Sequence, residues 1–351
     1  MTTLQSEPDL ALLSVPEDSA PGATLEVRVL AARREAEAVT SFEFARPGGG
    51  LLPAWAPGAH IDVHLPSGTV RQYSLCGDPA DTGTYRIAVL ELPAGRGGSV
   101  EAHRELRPGQ TLRIGLPREN FGLAEAERYV FMAGGIGITP LLPMIREVAR
   151  RGRPWRLVYG ARSADHFAFL PELHGIDGAS GRASVELVAQ DTDGHPDLAA
   201  IVAGSDGAAV YCCGPGGLMD ALADQMDRAG RLPDLHLERF APAAPAVRSN
   251  DDGGSGSGAS VADGAFQVEL GRSGLVVDVA AGVTILEAVR AAGVDHPSSC
   301  EMGFCGTCEA KVISGEVDHR DDLLTEQERA AGTCMMLCVS RAKCARLVLD
   351  L

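Results

Sequence analysis

Short runs of alternating apolar and polar residues, separated by glycine and proline, fill the first third of the chain. They are LEVRVLAARR, HIDVHLP, RQYSL, YRIAVLEL and TLRIGLP. Alternation with a period of two predicts strands with one buried face, and turn signals at short intervals favour antiparallel pairing. We therefore predict an antiparallel β-barrel over residues 25–124.

The pattern changes after Leu123 to strands that alternate with helices. YVFMA is followed by the turn GGIGITP, the amphipathic run LLPMIREVARR and the strand WRLVYGA, and later come SVELVAQ, AAVYCCG and the helical LMDALADQMDRAG. This alternation is typical of a parallel sheet covered by helices. Residues 125–241 are therefore predicted to form an α/β Rossmann-like domain.

Two segments lack apolar periodicity. Residues 242–264 are rich in Pro, Gly, Ser and Asp, which predicts a linker. Residues 1–24 carry acidic residues and have no basic start followed by an apolar run, which predicts a flexible leader and not a signal peptide. Beyond the linker, residues 265–351 combine the strands FQVEL, GLVVDV, EAKVISGEV and ARLVLDL with the helix ILEAVRAAG, which predicts a small α+β domain.

Composition narrows the possible partners. A net charge of −16 opposes nucleic-acid binding, and no apolar run reaches the roughly 20 residues that a membrane span needs. Nine cysteines without an export signal indicate a reducing compartment, where metal or redox chemistry is more common than disulfides. We predict a cytoplasmic, monomeric protein with no nucleic-acid or membrane partner.

Four cysteines have the spacing of a metal centre. Cys300, Cys305 and Cys308 form C-x4-C-x2-C, and Cys338 follows after 29 further residues. Plant-type [2Fe–2S] ferredoxins use this spacing for four thiolate ligands. Structural zinc, the alternative, usually takes two short Cys or His pairs, and the second pair is missing here. Four other cysteines are predicted to be small buried residues: Cys76, Cys212, Cys334 and Cys344.

The segment PSSCEMGFCGTCEAKVISGEVDHRDDLLTEQE resembles the C-terminal ferredoxin domain of the phthalate dioxygenase reductase family. The resemblance extends from about residue 25 to residue 351. It implies the order flavin-binding barrel, nicotinamide domain and β-grasp ferredoxin domain.

A flavin motif lies in the barrel. Arg71, Tyr73, Ser74 and Leu75 belong to RQYSL, which resembles the R-x-Y-S-[LN] motif of ferredoxin-reductase-like domains. An arginine can bind the flavin phosphate through two hydrogen bonds, a tyrosine can pack on the ring or ribityl chain, and a serine can hydrogen-bond near the reactive N5. Ser74 is therefore one candidate catalytic residue.

The second half of the flavin site is predicted at GRGGS, where Gly97, Gly98 and Ser99 begin a helix. Backbone N–H groups at a helix start attract a phosphate. The resemblance implies FMN, although FAD-binding relatives share the first motif and FAD stays the alternative. It also places Phe240, just before the linker, near the flavin.

The turn GGIGITP follows an apolar strand and opens a helix, so its glycines are predicted to let a dinucleotide pyrophosphate approach. Gly135, Gly137, Thr139 and Pro140 are the predicted contacts. Thr139 is predicted to be the helix N-cap and Pro140 the first helical residue. This GGxGxTP form is characteristic of ferredoxin-reductase-like domains.

A second turn is predicted beside the nicotinamide. The strand AAVYCC ends at Cys213 and is followed by Gly214 and Pro215. The resemblance places the cysteine near the hydride path, which makes Cys213 the other candidate catalytic residue. Arg162 could favour the 2′-phosphate of NADPH. The resemblance nevertheless favours NADH.

Together these motifs predict an oxidoreductase that moves electrons from NADH through FMN and a [2Fe–2S] cluster to a partner protein. No histidine and carboxylate pattern suggests oxygen activation in this chain. The predicted partner is a Rieske-type aromatic hydroxylase or O-demethylase. Two alternatives stay open: a reductase for a cytochrome P450, and a non-enzymatic ferredoxin-like binding or sensing module.

Overall fold

The structure of the chain is a computed structural model that describes residues 23–93, 97–177, 183–240, 264–298, 303, 306–321, 323–324 and 326–351. The predicted leader up to residue 22 and the predicted linker up to residue 263 lie outside the described residues.

The first sheet is the predicted antiparallel barrel. Along its first strand Leu25, Val27 and Val29 are buried while the residues between them face outward, as the alternation predicts. The strand order is β4-β3-β6-β1-β2-β5, with β7 paired to β3, and a bridge between Leu75 and Ile87 joins the two ends of the sheet. The elements are β1 (Thr24–Ala36), β2 (Val39–Ala45), β3 (Ala59–His64), β4 (Val70–Ser74), β5 (Tyr85–Leu90), α1 (Gly98–Glu105), β6 (Thr111–Gly115) and β7 (Arg118–Glu119).

The second sheet is parallel and has the order β10-β9-β8-β11-β12. The order reverses between β8 and β11, and the carboxyl ends of strands at such a point form the usual ligand crevice of α/β sheets. The elements are β8 (Tyr129–Gly134), α2 (Ile138–Arg150), β9 (Trp155–Ala161), α3 (Leu170–Asp177), β10 (Ala183–Ala189), α4 (Gln190–Asp193), α5 (Leu198–Ala203), β11 (Ala209–Cys213), α6 (Gly216–Arg228) and β12 (Leu235–Glu238).

The C-terminal part is a mixed five-stranded sheet of order β14-β13-β19-β15-β17 with a two-stranded ribbon of β16 and β18. Only β13 and β19 pair in parallel within the larger sheet. The elements are β13 (Phe266–Leu270), β14 (Leu275–Val279), α7 (Ile285–Ala291), β15 (Glu309–Ser314), β16 (Val317–Asp318), α8 (Glu326–Ala331), β17 (Cys334–Met336), β18 (Arg341–Ala342) and β19 (Arg346–Leu349).

The three architectures confirm the predicted fold class of barrel, Rossmann-like domain and β-grasp domain. Within the described ranges, none of the helices has the length and apolar character that crossing a membrane requires.

Four of the five cysteines outside the cluster motif were predicted to be buried, and this prediction is only half right. Cys76 and Cys212 are buried, whereas Cys334 and Cys344 are partly exposed. Cys334 lies on β17, which pairs with one neighbour only. Cys344 lies in the turn before β19, and its thiol donates to the carbonyl oxygen of Arg346 at 3.0 Å.

An ion-pair cluster joins the barrel to the parallel-sheet domain. Arg86 on β5 donates two hydrogen bonds to the Glu172 carboxylate on α3, at 2.7 and 2.8 Å. Arg146 on α2 also binds Glu172, and it donates to the carbonyl oxygens of Cys76 and Gly77 in the barrel. Burial lowers the pKa of Arg146, and the nearby positive charge of Arg86 adds to the effect. The two arginines therefore need the negative charge of Glu172.

We expect Glu172→Gln to lower the stability of this pair of domains by about 2 kcal/mol. Breaking a buried ion pair leaves uncompensated charge, and the partial exposure of Glu172 keeps the loss below that of a fully buried pair. Calorimetric unfolding of the full chain measures the change. The control is Glu147→Gln, which removes a carboxylate that binds Arg150 and Arg151 on the outer side of α2. Equal effects of the two substitutions would contradict the role given to Glu172.

Candidate cofactor sites

Arg71 and the start of α1 come together, as the predicted phosphate site requires. A Cβ added to Gly98 would lie 2.5 Å from Arg71 Nε, so this arginine packs directly on the first turn of the helix. Gly97, the residue before the helix, has a left-handed φ of 82°, which favours glycine. Backbone N–H groups at the helix start and a guanidinium group therefore face one small region, which suits a phosphate. Gly95 and Arg96 lie outside the described residues.

The other residues of the two flavin motifs differ in burial and in hydrogen bonding. Burial raises the pKa of Tyr73 to about 12, although the Arg71 charge opposes the shift, so this phenol stays neutral. Ser99 uses its hydroxyl to accept the Leu92 N–H at 3.0 Å, which holds the incoming strand end against the helix. The Leu75 side chain is fully buried in the barrel core.

The two predicted nicotinamide turns lie side by side at the reversal of the parallel sheet. One ends β8 and the other ends β11, and these strands are direct neighbours. A Cβ added to Gly137 would lie 2.1 Å from the Cys213 carbonyl oxygen, and one added to Gly134 would lie 2.5 Å from Pro215 Cδ. Only glycine permits this approach, because any side chain would separate the turns. Gly214 packs on Gly134 in the same way.

The predicted helix start at Thr139 is wrong. A 3-10 turn at Gly135–Gly137 runs directly into α2, which begins at Ile138. Thr139 is therefore inside the first turn, where its hydroxyl donates to the Ile136 carbonyl oxygen at 2.9 Å. Pro140 also lies inside that first turn. The backbone N–H groups of the first turn have no partner within the helix, so a proline at this position loses no helical hydrogen bond. The glycines, and not a side-chain cap, shape this helix N-terminus.

The candidate catalytic residues meet at a buried carboxyl group that the sequence did not single out. Glu238 ends β12 and pairs in register with Cys213 on β11. The Ser74 hydroxyl, from the barrel, hydrogen-bonds the Glu238 carboxyl group. Oxygen Oε2 of Glu238 has no hydrogen-bond partner among the described residues. Ser74 and Cys213 are thus brought together through Glu238, at the joint of the two domains.

Burial decides the protonation of this group. Desolvation raises the pKa of Glu238 to about 8, and the Ser74 hydrogen bond only partly opposes the shift. Burial, reinforced by Glu238, also raises the pKa of Cys213, whose side chain is completely buried. Both groups are therefore neutral at neutral pH. The only signal in the sequence was an acidic residue at the end of the apolar strand LHLE.

Phe240 lies two residues beyond Glu238 and is partly buried against the apolar core that the barrel and the parallel-sheet domain share. This position agrees with an aromatic residue near the domain joint. Arg162, just after β9, is exposed at the carboxyl edge of the sheet.

Two of the four predicted cluster ligands are described. Cys308 and Cys338 are only 2% and 3% exposed. The N–H of Leu337 donates to the Cys308 carbonyl oxygen at 3.1 Å, which brings the segments carrying Cys308 and Cys338 together. Cys300 and Cys305 lie outside the described residues, and Gly303 between them has a left-handed φ of 81°. Buried thiols on adjacent segments fit an iron–sulfur cluster.

Two parts of the chain match models of known families. Residues 268–343 match the model of the 2Fe-2S iron-sulfur cluster binding domain. Residues 131–224 match the model of the oxidoreductase NAD-binding domain.

Full-length relatives extend the match to the whole chain. Vanillate O-demethylase oxidoreductase from Pseudomonas sp. (strain HR199 / DSM 7063) is 43% identical and covers 93% of this chain and 100% of that protein. The solved structure of phthalate dioxygenase reductase, described as modular for electron transfer from pyridine nucleotides to [2Fe–2S], is 36% identical with a TM-score of 0.67. It covers 93% of this chain and 98% of that one.

A third similarity is to a larger protein, an intact type IV self-sufficient cytochrome P450 monooxygenase. It is 40% identical with a TM-score of 0.78, and it covers 94% of this chain but only 41% of that one. The barrel, the NAD-binding domain and the [2Fe–2S] domain thus occur both as a separate reductase and as part of a fused oxygenase. The chain belongs to the phthalate dioxygenase reductase family, the oxidoreductases that act as reductase components of oxygenase systems.

Proposed function

We propose that this chain takes electrons from NADH and delivers them, through FMN and a [2Fe–2S] cluster, to a Rieske-type aromatic hydroxylase or O-demethylase. The observation that carries the proposal is the contact between Ser74 of the flavin motif and Glu238, which is paired in register with Cys213 at the nicotinamide turn. A hydride can pass between two rings only where they stack, and this joint is where both motifs meet.

The chain's own residues hold the two cofactors in place. Arg71 and the N–H groups from Gly98 onward would bind the flavin phosphate, and FMN is the flavin that we propose. The turns at Gly137 and Cys213 would bind the dinucleotide. When bound, a flavin accepts a hydride and a [2Fe–2S] cluster carries single electrons onward.

Glu238 would keep the joint uncharged. Because its carboxyl group is protonated at neutral pH, it adds no negative charge beside an electron-rich flavin, and it can donate a hydrogen bond. Ser74 orients this carboxyl group from the barrel side. The apolar core around Phe240 excludes water from the same region.

The partner is proposed from the named relatives. Vanillate O-demethylase and phthalate dioxygenase systems support an oxygenase that acts on aromatic substrates. The fused P450 relative supports the second candidate, a cytochrome P450 partner. Reduction of each class by the NADH-reduced chain, measured in parallel, separates the two.

Anaerobic titration with NADH tests the cofactors. We expect the flavin and cluster absorbance bands of the purified chain to bleach, with NADPH much less effective, and the flavin released by denaturation to be FMN. Recovery of FAD would contradict the assignment of FMN, and absence of bleaching would contradict the reductase itself.

We expect Cys338→Ser to abolish the cluster and electron delivery to a partner while NADH still reduces the flavin. A serine hydroxyl is a poor replacement for a buried thiolate ligand. Iron content and the absorbance spectrum measure the loss. Cys344→Ser, which changes a partly exposed thiol in the same domain, is the matched control and should keep the cluster. A cluster retained in Cys338→Ser would show that this ligand is wrongly assigned.

Glu238 predicts a pH dependence of stability. Its pKa is about 8 in the folded protein against an ordinary value of 4.5, so the folded state keeps a proton that the unfolded chain releases between these values. This contribution to the free energy of unfolding is complete below about pH 4.5 and is lost as the pH rises through 8. We expect Tm to fall from pH 5 to 9 and to fall less in Glu238→Gln, which resembles the protonated acid. Parallel curves for the two proteins would refute the assignment, and Glu147→Gln is the surface control.

A further inference from the structure

Asp321 lies against the loop that carries two predicted cluster ligands. A Cβ added to Gly303, between Cys300 and Cys305, would lie 3.1 Å from Asp321 Cα and 2.6 Å from Val339 Cγ2. The loop backbone at Gly303 therefore rests directly on Asp321 and on the residue that follows Cys338. Nothing larger than glycine fits between these segments.

The carboxyl group of Asp321 links the surrounding segments. It accepts the Leu324 N–H at 2.9 Å and the Ser340 hydroxyl at 3.4 Å. Ser340 in turn accepts the Arg320 N–H at 3.3 Å, and its own N–H donates to the Met336 carbonyl oxygen at 3.0 Å. The Ser340 hydroxyl therefore links the segment that follows Cys338 to both Arg320 and Asp321.

This carboxyl group is removed from water. Asp321 is 2% exposed, whereas Asp278 and Asp295 of the same domain are exposed to solvent. Two basic groups lie near it: Arg329 Nη2 is 3.8 Å from Oδ2, and His319 Nδ1 is 3.6 Å from Oδ1. Arg329 also donates a hydrogen bond to the Asp321 carbonyl oxygen. The arginine therefore contributes a positive charge beside this buried acid.

We propose that Asp321 is a positioning residue of the cluster site. It supports the ligand loop at Gly303, and its buried negative charge makes the cluster's reduction potential more negative, while Arg329 moderates this effect. Charge close to an iron–sulfur cluster and away from water changes its potential, because reduction adds an electron. The inference rests on the four-cysteine cluster of the proposed function.

The test is the cluster's midpoint potential in the full-length holoprotein, followed by EPR of the reduced cluster so that the flavin does not interfere. We expect Asp321→Asn, which keeps the shape and removes the charge, to shift the potential to a less negative value. Arg329→Gln should shift it in the opposite direction. Asp318→Asn is the matched control, because Asp318 is nearby but is paired with Arg320 at 2.7 Å and is more exposed; its potential should stay at the wild-type value.

Equal shifts in Asp321→Asn and Asp318→Asn, or shifts of the same sign in Asp321→Asn and Arg329→Gln, would overturn the inference. If Asp321→Asn assembles no cluster, Arg329→Gln decides, and an unchanged or less negative potential in that variant refutes the role. A wild-type chain that holds no cluster would instead refute the proposed function, so the two failures are distinguishable.

Discussion

The carboxylate of Glu172, held between Arg86 and Arg146, fixes the position of the barrel relative to the parallel-sheet domain. It ties a barrel strand to two helices of the parallel-sheet domain, at the expense of desolvating three charged groups. Because the joint is held in this way, Ser74 of the barrel lies close to Glu238 of the parallel-sheet domain. Without a fixed joint, Ser74 and Glu238 could not meet, and two cofactors could not be stacked.

Inside that joint the titratable groups are neutral and do not form ion pairs with each other. Glu238, whose Oε2 atom is buried, lies beside the fully buried Cys213, and both have raised pKa values. A neutral pocket suits the transfer of a hydride, which carries negative charge from one ring to another. The chain thus places ionised groups at the outer part of the joint and neutral ones where the chemistry would occur.

The [2Fe–2S] domain instead has charged side chains beside its predicted cofactor site. The buried Asp321 lies next to the partly exposed Arg329 and packs against Gly303, and its charge is screened less by water than a surface charge would be. The same three domains occur in a separate reductase and in a fused P450. The same arrangement of domains is therefore found in proteins linked to different oxygenases.

Local sequence determined the elements and the cofactor motifs. Period-two alternation predicts the barrel strands, and glycines predict the turn at Gly137, since these signals depend on residues close together in the chain. The sequence does not predict the correct start of α2, because the 3-10 turn before this helix is shaped by the packing of Gly137 on Cys213. The roles of Glu238 and Asp321 were decided only by the tertiary structure. Whether an acidic side chain loses its water depends on atoms brought from distant parts of the chain, which no local pattern records.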